Sequence, residues 1–416
     1  MNEALRRDAE RIVKKSIEAV LPDAAVKKAL KGFQSSTGKT ILVSVGKAGY
    51  RMAAAALDVL HQVDAGIVIT KYGHVTGSLN GIDCYEAGHP VPDENSFAAT
   101  RKVLERTADL QAEDTVIFLL SGGGSALFEE PLIPGEELQD ITNQLLASGA
   151  SIQEMNTVRK RLSKVKGGRF AEHCAPAKVF SVVLSDIVGD PLDMIASGPA
   201  VPDTSTCEDA LAVAEKYRLR LSDEAREALR QETPKFLSNT ETRVTGSVRE
   251  LCRAAAKEAE VLGYRTVILT DCMTCEAREA GRFLGSVLKT QASVSGEKSK
   301  DCKKAFIAGG ETVVHLTGKG LGGRNQELAL AAAPVIAESS NTALFSVGSD
   351  GTDGPTDAAG GYVDGDTLEA LNEKGLRVDE VLGENDAYHA LQAVGGLIVT
   401  GPTGTNVNDV AVGLIG

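Results

Sequence analysis

The sequence predicts an α/β fold built as two domains, and three observations carry that expectation. Short β-branched runs alternate with amphipathic helical stretches along nearly the whole chain. Most of those runs are continuously apolar, and 416 residues exceed what one ordinary core holds. Continuous rather than alternating apolarity marks strands covered on both faces. Strand–helix alternation of this kind implies mainly parallel sheets with helices on either side.

Taken in order, strands are expected at 41–45 (ILVSV), 66–70 (GIVIT), 115–120 (TVIFLL) and 178–185 (KVFSVVLS). Further strands are expected at 266–270 (TVILT), 304–308 (KAFIA), 312–316 (TVVHL), 343–347 (ALFSV) and 397–400 (LIVT). Helices fall between them. Met52, Ala56, Val59, Leu60 and Val63 recur on one helical face. Met155, Val158, Leu162 and Val165 do the same, behind a Ser151-x-x-Glu154 capping box and ahead of Gly167-Gly168. A third face, Val248, Leu251, Cys252, Ala255, Ala259 and Leu262, follows Ser247-x-x-Glu250 and stops at Gly263. The polar stretch around 230–245 divides the chain into an N-terminal Rossmann-like domain, 1–235, and a C-terminal domain, 236–416. The strand at 397–400 is compatible with either.

Composition removes several functions. A formal charge of −13 opposes a nucleic-acid partner, because phosphate backbones are bound by basic surfaces. No apolar run reaches the ~18 residues of a membrane span. The N-terminal segment MNEALRRDAERIVKKSIEAV is charged and helical in period rather than a secretory signal. Cysteines 84, 174, 207, 252, 272, 275 and 302 are odd in number and scattered, which suits reduced thiols in a cytoplasm. Cys272-x-x-Cys275 has no second pair to complete a metal site. The oligomeric state is not legible, and a homodimer is compatible with it.

Open parallel sheets bind ligands at the carboxyl ends of their strands. After TVIFLL comes Ser121, Gly122, Gly123, Gly124, Ser125, whose backbone can approach an anion closely or simply turn. After ILVSV, Gly46-Lys47-Ala48-Gly49 puts a lysine where a phosphate would lie; a solvated surface lysine is the plainer reading. KVFSVVLS runs into Asp186-Ile-Val-Gly-Asp190, carboxylates suited to Mg²⁺ or to capping a helix. The run Arg159, Lys160, Arg161, Lys164, Lys166 gathers cations in an acidic chain, as an anion site or a solvated face. In the C-terminal half, a glycine-rich loop delivers Arg324 to the start of an Ala/Leu-rich helix. There Asp350, Asp353 and Asp357 miss the EF-hand register, leaving a loop for Mg²⁺ or nucleotide. Residues 32–40, GFQSSTGKT, have the wrong glycine spacing for a P-loop and precede a strand instead of following one.

Together these segments resemble the glycerate 2-kinase family, whose C-terminal part is called the MOFRL domain. The resemblance rests on SVGKAG (44–49), LLSGGGSAL (119–127), NTVRKRLSKVKGG (156–168), LSDIVGDPLDMIASGP (184–199), GKGLGGRNQELAL (318–330), SDGTDGPTDAAG (349–360) and GPTGTNVND (401–409). It implies two α/β domains with the active site in the cleft between them. The implied reaction is ATP-dependent phosphorylation of D-glycerate to 2-phosphoglycerate with a divalent cation. It also implies Lys47 and Arg324 as catalytic residues. Asp186, with Asp190, would hold the metal or orient the attacking hydroxyl. The 121–125 loop would cradle phosphates, and Asn156, Arg159, Lys164 and Lys166 would hold the glycerate carboxylate. An NAD(P)H-dependent hydroxypyruvate reductase is the competing reading. It needs a GxGxxG fingerprint, and this loop has Leu127 and Phe128 where the third glycine belongs.

Overall fold

The apolar runs at 41–45 and 115–120 lie side by side, every residue buried. Ile41, Val43, Val45, Phe118 and Leu120 face one core, while Leu42, Ile117 and Leu119 face another, so helices cover both sides. The computed structural model describes residues 1–33, 37–60, 63–294, 303–339 and 341–416. The chain forms two units, Pro22–Thr245 and Met1–Leu21 with Gly246–Gly416. The division thus falls later than the expected 235/236. Helix α1 (Glu3–Ala19) packs Leu5, Ile12, Val13 and Ile17 into the core of the C-terminal unit.

The N-terminal unit holds β1 (Thr40–Val45), helix α2 (Gly49–Leu60), β2 (Ala65–Lys71), β3 (Ile82–Ala87) and β4 (Thr115–Leu120). Helix α3 (Ile152–Arg161), β5 (Lys178–Leu184) and β6 (Thr240–Gly246) follow. The strand order is β3-β2-β1-β4-β5-β6, and the pairs β3–β2, β2–β1, β1–β4 and β4–β5 are parallel. This is the Rossmann order, with its switch point between β1 and β4. Helix α3 begins with the expected capping box, Ser151 and Glu154 each bonding the other's backbone N–H. Two strands escape a search for apolar runs. β3 (IDCYEA) and β6 (TETRVTG) are polar because they form the two edges of the sheet. The polar stretch read as a linker is therefore partly an edge strand.

In the C-terminal unit, helix α4 (Val248–Val261) precedes β7 (Arg265–Met273), helix α5 (Ala277–Val294), β8 (Lys304–Gly310) and helix α6 (Arg324–Ile336). Then come β9 (Thr342–Gly348), β10 (Gly360–Asp364), β11 (Leu397–Ile398) and β12 (Asp409–Ile415). The sheet order is β11-β10-β9-β12-β8-β7. The expectation of mainly parallel sheets fails here: β7–β8 pair parallel, whereas β12 is antiparallel to both β8 and β9, and β10 to β9 and β11. The cause is that β12 enters between β8 and β9 from the 401–408 loop with no helical crossover. The expected strand 312–316 is a loop. With β7 and β12 occupying both edges of β8, it makes a single bridge, Glu276 to Val313, and leaves Val313 and Leu316 exposed. Among the described residues no helix is long and apolar enough to cross a membrane, and the six described cysteines are unpaired. Cys302 and part of the 32–40 segment lie outside the described residues.

Candidate active site

At the switch point of the N-terminal unit, the loops after β1 and β4 are tied together. The Lys47 N–H donates to the Gly122 carbonyl at 2.9 Å, and the Ala48 N–H to Ser121 Oγ at 3.1 Å. The glycines after Ser121 exist to let side chains close in. A Cβ on Gly122 would stand 2.2 Å from Asp186 Oδ2. Gly123 adopts φ +85°, and its Cβ would lie 3.0 Å from His89 Nε2 and 3.2 Å from Lys47 Cγ. Lys47, His89 and Asp186, from the ends of β1, β3 and β5, therefore converge on the 121–125 loop. Burial, reinforced by Lys47, Lys71 and His74, pulls the His89 imidazole below the ordinary histidine range. His74 bonds the Lys47 carbonyl at 2.9 Å.

A second layer reaches the same loop from α3. Ser125 Oγ meets Ser197 Oγ at 2.8 Å, Ser197 Oγ donates to Asn156 Oδ1 at 2.8 Å, and Arg159 Nη2 donates to the Ser125 carbonyl at 3.0 Å. Ala196, Ser197 and Gly198 carry φ of 49°, 61° and 64°. Two consecutive non-glycine residues in that region cost on the order of 1–3 kcal/mol each, a strain that clusters at functional sites. The remaining cations of the basic run are held elsewhere. Lys164 is exposed and pairs with Glu130. Lys166 is fully buried, 2.8 Å from Glu129 and 2.9 Å from the Phe128 carbonyl, and burial pushes its amine down to about 8. Lys160 and Arg161 pair with the buried Asp203. Most of the run is thus a buried ion-pair layer rather than a solvated face. Asp190, at φ 52°, keeps a buried Oδ1 with no hydrogen-bond partner, which suits a cation ligand.

In the C-terminal unit Arg324 opens α6 and is clamped by carboxylates. Its Nε and Nη2 donate to Asp409 at 2.5 and 3.1 Å, and Nη1 to Glu311 at 2.8 Å. Burial weakens the guanidinium's hold on its proton, but the Asp409 pairing more than offsets this, leaving it raised. Asp353 caps α6, accepting from the N–H groups of Asn325 (3.1 Å) and Gln326 (2.8 Å). Burial nonetheless lifts its carboxyl to about 6. The three aspartates of the 350–357 loop do not converge. Asp350 turns back to the Thr352 N–H, Asp353 caps the helix and Asp357 accepts from Tyr388. The Cys272-x-x-Cys275 thiols are exposed. Among the described residues, the one group at metal-ligating spacing is Cys207, Glu208 and Glu232, where Glu232 already pairs with Arg161 and Lys235.

His89, Ser197, Glu311 and Asp409 lie beside the candidate residues, and sequence reasoning missed them or left them without a role. His89 follows a polar edge strand and Ser197 ends a short 3₁₀ turn (Ile195–Ser197), so neither stood directly behind an apolar run. A search for chemistry-bearing residues after β3 would have found His89.

A lysine, backbone amides and carboxylates around a switch-point loop are the equipment of phosphotransferases. The chain belongs to the glycerate kinase family. A family model described as a domain of unknown function, DUF4147, matches residues 8–230, and the MOFRL family matches residues 304–409. The chain is 54% identical to a D-glycerate 2-kinase of Thermotoga maritima across 99% of both proteins. It is 40% identical to a glycerate 2-kinase of Pyrococcus horikoshii, over 99% of this chain and 97% of that one. A crystal structure of a glycerate kinase from Thermotoga maritima superposes over 100% of both chains with a TM-score of 0.94, at 54% identity.

Proposed function

We propose that this protein transfers the terminal phosphoryl group of ATP to the 2-hydroxyl of D-glycerate, giving 2-phosphoglycerate and ADP. The observation that carries the proposal is the convergence of Lys47, His89 and Asp186 on the 121–125 loop, in a chain 54% identical to a D-glycerate 2-kinase. Phosphoryl transfer depends on positioning and charge neutralisation more than on a strong nucleophile. Lys47 stabilises charge on the transferred group, the 121–125 backbone cradles phosphate oxygens, and Asn156 and Arg159 orient the glycerate carboxylate. The glycerate oxygen attacks phosphorus as the bond to ADP breaks, and the hydroxyl proton passes to neutral His89. Arg324 contributes charge as well. Asp409, only 7% exposed, fixes it, while Glu311, 45% exposed, is the partner it can exchange for a phosphate oxygen. Magnesium, where bound, would neutralise phosphate charge. Asp186 and Asp190 are the residues to hold it, the orphaned Asp190 oxygen being the supporting observation.

Six unpaired thiols among the described residues support a cytoplasmic, reducing setting. Against the reductase alternative, Leu127 and Phe128 fill the core with bulky side chains where a dinucleotide fingerprint needs a glycine for close helix–strand packing. Two assays test the reading: ³¹P NMR of the product from ATP and D-glycerate, and NADH oxidation with hydroxypyruvate. A 2-phosphoglycerate resonance with no NADH turnover is expected; the reverse outcome overturns the proposal.

A further inference from the structure

A hydroxyl group has one proton and two lone pairs, so a chain of hydroxyls has a direction, set by whatever stands at its end. Such a chain reaches the 121–125 loop from below. Asn156 Oδ1, Ser197 Oγ and Ser125 Oγ follow one another, each 2.8 Å from the next. Asn156 and Ser197 are buried, whereas Ser125 is half-buried and within a ligand's reach. The amide of Asn156 fixes the direction. Its Nδ2 donates to Met194 Sδ at 3.3 Å, an atom with no proton to give, which puts Oδ1 on the Ser197 side. An amide oxygen only accepts, so the Ser197 proton is committed to Asn156. The bond between the two serines must then be donated by Ser125. With its one proton spent, Ser125 Oγ offers a ligand lone pairs alone.

The backbone holds this chain in place. Ser197 sits at φ 61° behind Ala196 at 49°, and the Gly167 N–H donates to the Ser197 carbonyl at 2.9 Å. Gly124 lets that strained turn come up against Ser125, since a Cβ there would stand 2.8 Å from Ala196 Cβ. Arg159 Nη2 fixes the Ser125 carbonyl at 3.0 Å. Strain of this kind persists only where the surroundings over-determine it. A lone pair is the wrong group for a phosphate oxygen, which is itself an acceptor and carries negative charge. It suits a hydroxyl on the ligand.

In the kinase reading, on which this inference rests, Asn156 and Arg159 hold the glycerate carboxylate. Both bond directly to the two serines, Asn156 to Ser197 Oγ and Arg159 to the Ser125 carbonyl, so Ser125 borders that subsite. D-Glycerate carries two hydroxyl protons. The proton of the 2-hydroxyl passes to His89, which leaves the 3-hydroxyl proton in need of an acceptor. We propose that Ser125 Oγ, oriented by Ser197, accepts the hydrogen bond of the glycerate 3-hydroxyl and so selects glycerate over 2-hydroxy acids that lack it. Ser125 is then a specificity-determining residue and Ser197 a positioning residue. The 121–125 backbone remains free to cradle phosphate oxygens, because the serine side chain is used for the other substrate.

The test compares D-glycerate with D-lactate, the same 2-hydroxy acid with a methyl group in place of the hydroxymethyl. A site built to bond a substrate hydroxyl rejects the analogue lacking it, here by about 10²-fold or more in kcat/KM. D-Lactate is also run as an inhibitor, so that its inhibition constant against the glycerate KM gives the comparison even where lactate is not phosphorylated. Ser125→Ala should shrink the preference about tenfold, the worth of one hydrogen bond. Ser197→Ala should shrink it in the same direction by less, and it provides the readout should the first variant misfold. Asn156→Asp, which strikes the carboxylate both acids share, should weaken both and keep their ratio. A structural fault likewise lowers both acids together, so only loss of the 3-hydroxyl contact moves the ratio. A Ser125→Ala enzyme with the wild-type ratio overturns the proposal, and a raised ATP KM in that variant would place the hydroxyl on a phosphate instead. A wild-type enzyme that takes both acids equally well overturns it too. Absence of glycerate phosphorylation by the wild type would refute the kinase reading itself, so the two failures are distinguished.

Discussion

Replacing Gly122 by alanine isolates the contact on which the N-terminal site is built. Gly122 is not among the residues with positive φ, so alanine brings no backbone strain, only a methyl group. That methyl would stand 2.2 Å from Asp186 Oδ2 and 2.9 Å from its Cγ. Ordinary carbon–oxygen contact needs ~3.4 Å, so either the carboxylate or the loop must give by about 1 Å. A displacement of that size in a reacting constellation costs on the order of 10²-fold in rate. Gly122→Ala should therefore lower kcat by about 100-fold while the protein remains folded, as read by an ADP-release assay with glycerate alongside a thermal melt. The cause can be isolated with a second variant. Once Asp186→Ala has removed the clashing group, adding Gly122→Ala should cost little more, since groups acting as a unit are not additive. A Gly122→Ala enzyme with kcat near wild type, alongside a crippled Asp186→Asn, would refute the idea that the loop sets the carboxylate's position.

Other consequences follow from the same geometry. Lys47→Ala should lower kcat by on the order of 10²–10³, the scale of losing one electrostatic stabiliser, with KM less affected. Arg324→Ala should lower kcat as well; a variant with kcat near wild type would remove Arg324 from the catalytic roles. Because burial and neighbouring cations hold His89 below its ordinary range, it stays neutral at pH 7 and charges only as pH falls. The acid limb of the kcat/KM profile should then lie below the usual histidine range and disappear in His89→Gln. Chelation with EDTA should abolish turnover and Mg²⁺ should restore it, with Asp186→Asn far more damaging than Asp350→Asn. The opposite ranking would move the metal to the C-terminal unit. Asp353→Ala orphans the buried N–H groups of Asn325 and Gln326, at about 1–3 kcal/mol each. It should lower the melting temperature measurably, whereas Asp353→Asn, which keeps an acceptor, should lower it less.

Much of the protein was legible without coordinates. Buried strands announce themselves because a strand covered on both faces must be apolar at every position, as ILVSV and TVIFLL are. Loops at the ends of such strands are candidates for binding for the same topological reason, so Lys47, the 121–125 loop and Asp186, which the fold brings close together, could be put forward from position alone. Edge strands do not announce themselves. β3 and β6 face water along one side, so their polarity reads as loop, and His89 behind β3 went unnoticed. Conversely, TVVHL has the composition of a strand but no edge of β8 is open to receive it.

Strand direction is invisible to periodicity, because parallel and antiparallel neighbours bury the same alternating side chains. The antiparallel insertion of β12 between β8 and β9 therefore emerged only with the fold. The partners of charged groups are the clearest case. Arg159, Lys160, Lys164 and Lys166 look alike in the chain. Contacts across 34 to 43 residues send one to the Ser125 carbonyl, two into buried ion pairs and one to the surface. The sequence by itself determined the buried strands and the helices between them, and marked the loops that follow those strands as candidates for chemistry, because these depend on local period and composition. Which carboxylate meets which cation, and which edge stays open, were decided by the tertiary structure, because they depend on distances between residues far apart in the chain.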